Sequence, residues 1–169
     1  MSRLLGVKIR HLRRRYRLTQ TDVAQRLSLA THSHVSHLET GTKTPSLSLI
    51  LKIANLFGIT TDDLLRDTIT ADQISVHDQP GSPDDQPQLQ QLGAKLRYLR
   101  IRGDWTQAEV SRELGLAAQA HISYLESNRK EPSIDLLLKI ADFFSVSIDY
   151  LLRDEIPIEL DSPAQDDLS

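Results

Sequence analysis

Sliding the chain along itself by 87 positions places His34 on His121 and aligns two long stretches without a gap. "LGVKIRHLRRRYRLTQTDVAQRL" falls on "LGAKLRYLRIRGDWTQAEVSREL", and "KTPSLSLILKIANLFGITTDDLLRD" falls on "KEPSIDLLLKIADFFSVSIDYLLRD". Identity at roughly half of the aligned positions, at one fixed offset, marks an internal duplication. The duplication limits the fold more than any single motif does, because one unit of about 65 residues must be able to close its own core, and must do so twice. The copies run over 3–67 and 90–154. Between them, residues 68–89 carry "PGSPDDQP" and read as a flexible acidic linker, within which "ITADQISV" is compatible with a short strand. Residues 155–169 share that acidic, proline-bearing character and read as a disordered tail.

Within each copy the periodicity is helical. Leu5, Ile9, Leu12 and Tyr16 fall on one face and predict a buried stripe. In "LTQTDVAQRL", Thr19 predicts a helix start with Asp22 closing a capping box, and Leu18 and Val23 are placed to form the hydrophobic staple. The second copy repeats the device with Trp105, Thr106, Glu109 and Val110. A helix over "HSHVSHLE" turns Val35 and Leu38 inward; Ser46 and Ser133 read as the next N-caps, each after a proline. The helix "LSLILKIANLF" stops at Gly58, where Ser145 stands in copy two, and a last helix holds "DDLL" or "DYLL". The expected fold is all-α: two tandem five-helix domains joined by a linker.

Composition narrows the function. There is no cysteine, which excludes disulfides and thiolate chemistry and fits a reducing cytoplasm. Apolar runs are too short and too interrupted to span a bilayer, and "MSRLLGVKIRHLRRR" lacks the apolar centre of a secretory signal. No glycine-rich phosphate loop, paired-carboxylate cleft or nucleophile motif appears, so an enzyme is not expected; Asp62, Asp63 and Asp149 read as helix-start carboxylates. The net charge of −3 hides an uneven distribution. Residues 3–43 hold nine Lys and Arg against two Asp and Glu, whereas the matching 90–130 hold seven against four.

The ordered set of capping box, polar turn, "LE" and "PS", present twice, resembles the Cro/CI-type (lambda-repressor-like) helix-turn-helix family of prokaryotic transcriptional regulators. The resemblance covers both copies. One departure is visible: "LSLATHSHV" and "LGLAAQAHI" are one residue longer than the commonest form between helices two and three, which blurs where helix three begins. The resemblance implies double-stranded DNA as partner, with helix three in the major groove and helix two across the phosphate backbone. It implies that Gln20 and Gln107 donate to phosphates. It also implies that Arg13 with Glu39, and Arg100 with Glu126, form structural ion pairs, although either arginine can alternatively be read as a phosphate contact with its glutamate as a cap.

With Val35 and Leu38 inward, Ser33, Ser36 and His37 point outward, with His34 on the flank and His32 near the helix start. Copy two places Gln119, Ala120, Ser123 and Tyr124 at the matching reading positions. Histidine can donate to phosphate or to guanine acceptors, and glutamine can take adenine in a bidentate pair. His34 and His121, common to both copies, make either a phosphate contact or a packed flank. A metal site on His32, His34 and His37 is the rival reading, but copy two keeps only one of the three, so no metal and no cofactor is expected. Arg10, Arg14, Arg15, Arg17 and Lys43 are the candidate phosphate partners in copy one, and Arg129 and Lys130 in copy two; a solvated helix face is the bland alternative.

The expected function is sequence-specific DNA binding in the cytoplasm, at the nucleoid, by a repressor with two linked reading heads and two unlike half-sites. A linker of about 20 residues spans roughly 25 Å on average and over 60 Å extended, against the ~34 Å between successive major grooves. Two alternatives stay open. One uses copy two for dimerisation, giving a homodimer; the other makes the chain an adaptor, such as an antitoxin or anti-regulator, whose acidic tail meets a protein partner.

Overall fold

A computed structural model describes residues 4–74 and 89–159, and among these every regular element is helical. Copy one holds α1 (Leu5–Arg15), α2 (Gln20–Arg26), α3 (His32–Glu39), α4 (Leu47–Phe57) and α5 (Thr61–Leu65). Copy two holds α6 (Leu92–Arg102), α7 (Gln107–Glu113), α8 (Ala120–Glu126), α9 (Ile134–Phe144) and α10 (Ile148–Leu152). The expected five helices per copy are therefore present.

Local chemistry sets most boundaries. Thr19 and Asp22 form a reciprocal capping box at the start of α2, as do Thr106 and Glu109 at α7. Ser46 and Ser133 each accept the N–H three residues on, at 3.2 Å, opening α4 and α9. Both of those helices end on a left-handed residue, Gly58 at φ 60° and Ser145 at φ 53°. Glycine adopts that conformation freely; serine does so under strain.

The buried apolar residues of both copies belong to one continuous cluster. Leu12, Val23, Val35, Ile50, Ile53 and Phe57 are fully sequestered in copy one, and each such side chain contributes about 1.5–3 kcal/mol by leaving water. Tyr16 departs from the expected buried stripe: it is 37% exposed, its ring tilted over Phe57 and its hydroxyl donating to the Phe57 carbonyl. In copy two Trp105 lies 5.2 Å from Phe143, ring to ring.

Two fully buried lysines fasten the first helix to the last. Lys8 Nζ donates to the carbonyls of Asp63 and Arg66, both at 2.6 Å, and Lys95 Nζ to those of Tyr150 and Arg153 at 2.7 and 2.5 Å. These carbonyls close the ends of α5 and α10, where intrahelical donors run out and a cation is favoured. Burial pushes both ammonium groups below the usual lysine range, against the raising pull of Asp67 and Asp63 around Lys8, and of Asp154 and Glu155 around Lys95.

The ordered part of each copy runs further than composition suggests. Residues 68–74 belong to the first head: Ala71–Gln73 make a 3-10 turn against α1 instead of a strand, Ile69 packs on the core and Ile74 is 3% exposed. Beyond Arg153, Ile156 packs on the core and the Tyr150 hydroxyl donates to the Ile158 carbonyl. Apolar residues in polar surroundings explain both extensions. The rest of the expected linker, 75–88, and of the expected tail, 160–169, lies outside the described residues.

The two heads meet along a seam made by α4 and α5 of one copy and α9 and α10 of the other. Asp149 Oδ2 accepts the Thr61 N–H at 2.9 Å, while Asp62 Oδ2 accepts the Ile148 N–H at 2.7 Å. Arg66 reaches Asp142 at 2.6 Å, and Arg153 reaches Asn55 at 2.8 Å. Asp62 and Asp149 are thus not plain helix-start carboxylates; each caps the last helix of the other copy.

Gly6 and Gly93 let the first and third helices touch. A Cβ at Gly6 would sit 2.5 Å from the Glu39 carbonyl oxygen, and one at Gly93 2.5 Å from that of Glu126. Gly6→Ala is expected to lower stability by about 1–3 kcal/mol, because backbone and not a side-chain tip must move. Ser145→Gly should raise it by about 1 kcal/mol by relieving the left-handed residue. Urea denaturation midpoints check both signs.

Candidate nucleic-acid interface

The close approach at Gly6 brings the end of α3 against the first turn of α1, and one carboxylate is enclosed beside that helix. Glu39, with its side chain fully withdrawn from solvent, takes Arg13 Nε at 2.5 Å and Nη2 at 3.1 Å. Arg10 Nε adds a contact at 3.4 Å and Gln20 Nε2 another at 3.0 Å. Arg13 also donates to the Leu18 carbonyl, just before α2. One acid therefore ties three helices together. Copy two repeats the arrangement: Arg100 pairs with Glu126 at 2.6 and 3.1 Å, Gln107 donates to Glu126 at 2.8 Å, and Arg100 donates to the Trp105 carbonyl. A bidentate guanidinium–carboxylate pair fixes orientation as well as distance.

This knot holds the third helix with its polar face outward. Val35 and Leu38 are 0% and 2% exposed, as are Ile122 and Leu125. His32, Ser33 and His37 lie exposed, and Ser36 and His34 half-buried. In copy two Gln119, Ala120, Ser123 and Tyr124 are exposed and His121 half-buried. The copies differ at the helix start. Thr31 is the N-cap of α3, so His32 is its first residue, whereas Gln119 is itself the N-cap of α8. Gln119 Nε2 lies 3.5 Å from Gln107 Oε1, a contact that orients one amide on the other.

The three histidines of α3 do not share a focus. His37 Nδ1 is held 3.0 Å from the Thr42 hydroxyl, which fastens the end of the outward face of α3 to the following loop. Partial burial, then the neighbouring Lys43 and His37, push His34 below the ordinary histidine range. Among the described residues no three His, Asp or Glu side chains gather as a metal cage.

The cationic candidates separate into two sets. Arg10 and Lys43 flank the knot and the loop after α3; Arg129 and Lys130 occupy the matching loop after α8, all exposed. Arg14 and Arg15 lie on the outer side of α1, along a groove shared with Val7, Arg10, His11 and Asp72. His11 Nδ1 stands 3.8 Å from Asp72 there. Arg17 follows α1 in a left-handed conformation at φ 56° and is exposed. Gln20 and Gln107, expected on phosphates, spend one amide hydrogen on the buried glutamate, which leaves the second for a ligand.

Comparison with known proteins gives a consistent assignment for both copies. Residues 4–67 match a family model described as a helix-turn-helix domain, and residues 96–151 match one described as helix-turn-helix. The chain is 35% identical over 66 residues to the HTH-type transcriptional regulator ImmR of Bacillus subtilis, covering 38% of this chain and 51% of that protein. It is 38% identical over 55 residues to an uncharacterized HTH-type transcriptional regulator of Methanocaldococcus jannaschii, covering 32% of this chain and 82% of that protein. The chain thus spans about half the length of the first relative and most of the second. No solved structure matches it. No helix among the described residues is long and apolar enough to cross a membrane.

Glu39 makes the knot sensitive to acid. Burial raises its pKa, but the hydrogen bonds from Arg13 and Gln20, the Arg13 charge and the Arg10 contact outweigh burial and hold it below its ordinary value of 4.5. A depressed folded pKa contributes stability that is complete above 4.5 and disappears as pH falls through the folded value. Glu39→Gln should therefore cost stability at pH 7, with the gap from the parent narrowing as pH drops below 4.5. Urea unfolding from neutral pH down into the acid range measures that gap; a gap independent of pH would contradict the assignment.

Proposed function

The chain belongs to the helix-turn-helix family, and from that membership we propose that it is a sequence-specific DNA-binding transcriptional regulator, a repressor, with one reading helix in each copy. The observation that carries the reading is the exposed polar face of α3 and of α8, each held rigid from behind by a buried glutamate and flanked by cations. A helix presented in this way fits the major groove, with His32, Ser33, Ser36 and His37 on base edges in one half-site and Gln119, Ala120, Ser123 and Tyr124 in the other. Gln20 and Gln107, at the starts of α2 and α7, lie where a phosphate would take their remaining amide hydrogens. Both half-sites lie on double-stranded DNA, in the cytoplasm at the nucleoid, and the role is binding rather than catalysis.

Copy one supplies more of the electrostatic grip, through Arg10, Arg14, Arg15, Arg17 and Lys43, with His34 adding a hydrogen bond to phosphate. Arg129, Lys130 and His121 do the same for copy two. The seam between the heads supports a reading role for copy two over a purely dimerising one. It is built from α4, α5, α9 and α10, and it leaves the outward residues of α8 exposed.

Selection of bound duplexes from a random pool tests this reading. The selected sequence should contain two dissimilar halves. Replacing His32 and His37 by alanine should weaken binding to it by about 1–3 kcal/mol for each base edge no longer read, with little effect on non-specific DNA. Replacing Arg14 and Arg15 should instead weaken all sequences alike and flatten the log–log salt slope by roughly 0.9 for each phosphate no longer neutralised. Weak, sequence-blind retardation of every duplex would favour a protein-binding adaptor.

A further inference from the structure

The seam is reciprocal across the duplication, and that reciprocity has consequences for the DNA. Asp62 and Asp149 occupy equivalent positions, and each accepts from the backbone at the first turn of the other's helix: Asp149 from the Thr61 N–H, Asp62 from the N–H groups of Ile148 and Asp149. Arg66 and Arg153 are likewise equivalent. Each is bonded to the aspartate four residues before it in its own helix, at 2.9 and 2.5 Å, and each reaches across to the equivalent position of the other copy, Asp142 or Asn55. The Thr61–Asp149 and Arg66–Asp142 contacts thus have their counterparts in Ile148–Asp62 and Arg153–Asn55, while the Asp149 N–H to Asp62 contact at 3.3 Å is additional. Contacts of that kind define an approximate two-fold relation between the heads.

A seam of this sort fixes more than proximity. Backbone N–H groups at helix starts, and guanidinium groups already oriented by an i+4 carboxylate, are directional partners. They hold the last helices at one mutual angle, and α1 follows through Lys8 and α6 through Lys95, since those lysines grip the same helices. The glutamate knots then carry the orientation on to α3 and α8. Among the described residues, the path from the seam to the third helices runs through bonded contacts from one element to the next.

We propose that this intramolecular seam, and not the length of the connecting segment, dictates operator geometry: the two unlike half-sites lie as an inverted repeat at one permitted spacing, and Asp62, Arg66, Asp149 and Arg153 determine that specificity. The proposal rests on the DNA-reading assignment above. A two-fold arrangement of heads meets the duplex two-fold axis only when the half-sites are inverted, whereas heads joined by a slack tether accept direct and inverted repeats over many spacings. Asp62 and its equivalents are specificity-determining without touching a base.

The test uses the full chain and two readouts. The chain contains no cysteine, so Gln25→Cys with Arg112→Cys places spin labels only at equivalent exposed sites of the two heads. Without DNA, one narrow interspin distance is expected, broadening in the Arg66→Ala, Arg153→Ala double variant. On duplexes carrying the selected half-sites in inverted or direct order at stepped spacings, the parent should prefer one inverted spacing over a half-turn offset by at least about 100-fold, the gain from engaging the second head. The double variant should flatten that profile while keeping single half-site binding. Arg66→Asp should flatten it too, and adding Asp142→Arg should restore the peak, a rescue that a general loss of stability would not show. A broad distance distribution in the parent, or equal binding to direct and inverted repeats, overturns the proposal. A narrow distance with no sequence-selective binding overturns both the DNA reading and the operator geometry.

Discussion

The buried Glu39 is the constraint on which the first head depends, and Glu126 on which the second does. A carboxylate taken out of water is costly unless its charge and lone pairs are answered. Here Arg13 answers with two hydrogen bonds and Gln20 with one, so the cost becomes a device for alignment. Removing Arg13 would strand that charge, and the directional two-bond pair is what holds so short a helix as α3 in one orientation. Helices of eight and seven residues are not stable alone in water. Their rigidity comes from the knot behind them and from Val35, Leu38, Ile122 and Leu125 in the cores.

Function follows from what the knot leaves uncovered. The inward side of α3 is apolar and closed, and its outward side is histidine and serine with a threonine hydroxyl bracing His37. Copy two presents glutamine and tyrosine on the same scaffold. Two heads with equal skeletons and unequal faces suit an operator whose halves differ, and the seam sets how those faces stand to each other. Asn55 and Asp142 show the same divergence at the seam itself: one cross-contact is an arginine–amide bond, the other an ion pair.

Much of the fold is legible in the chain because the duplication supplies each local signal twice. Thr19 with Asp22 and Thr106 with Glu109 name the same helix start independently, and Ser46 with Ser133 do so for the fourth helix. The start of the third helix is not legible. Thr31 and Gln119 make no side-chain cap, so tertiary geometry alone decides that α3 begins at His32 and α8 at Ala120. Lys8 and Lys95 are visible as a repeated lysine beside the apolar stripe of α1 and α6, but their partners are carbonyls more than fifty residues away, which no local pattern announces. The same holds for Asp62 and Asp149. A carboxylate near a helix start reads as a cap for its own helix, and only juxtaposition of the heads reveals that it caps the other. Composition sets boundaries at residues 68 and 155 because it weighs Asp, Pro and Gln; a few isoleucines outweigh them in packing.

The most direct measurement is a footprint of the selected operator combined with the mass of the complex that produces it. One chain per operator, protecting two major-groove faces of unlike sequence on the same side of the duplex, is the expected result. A perfect palindrome with a separate chain on each half would contradict it, since one of the two reading helices in every chain would then have no groove to occupy.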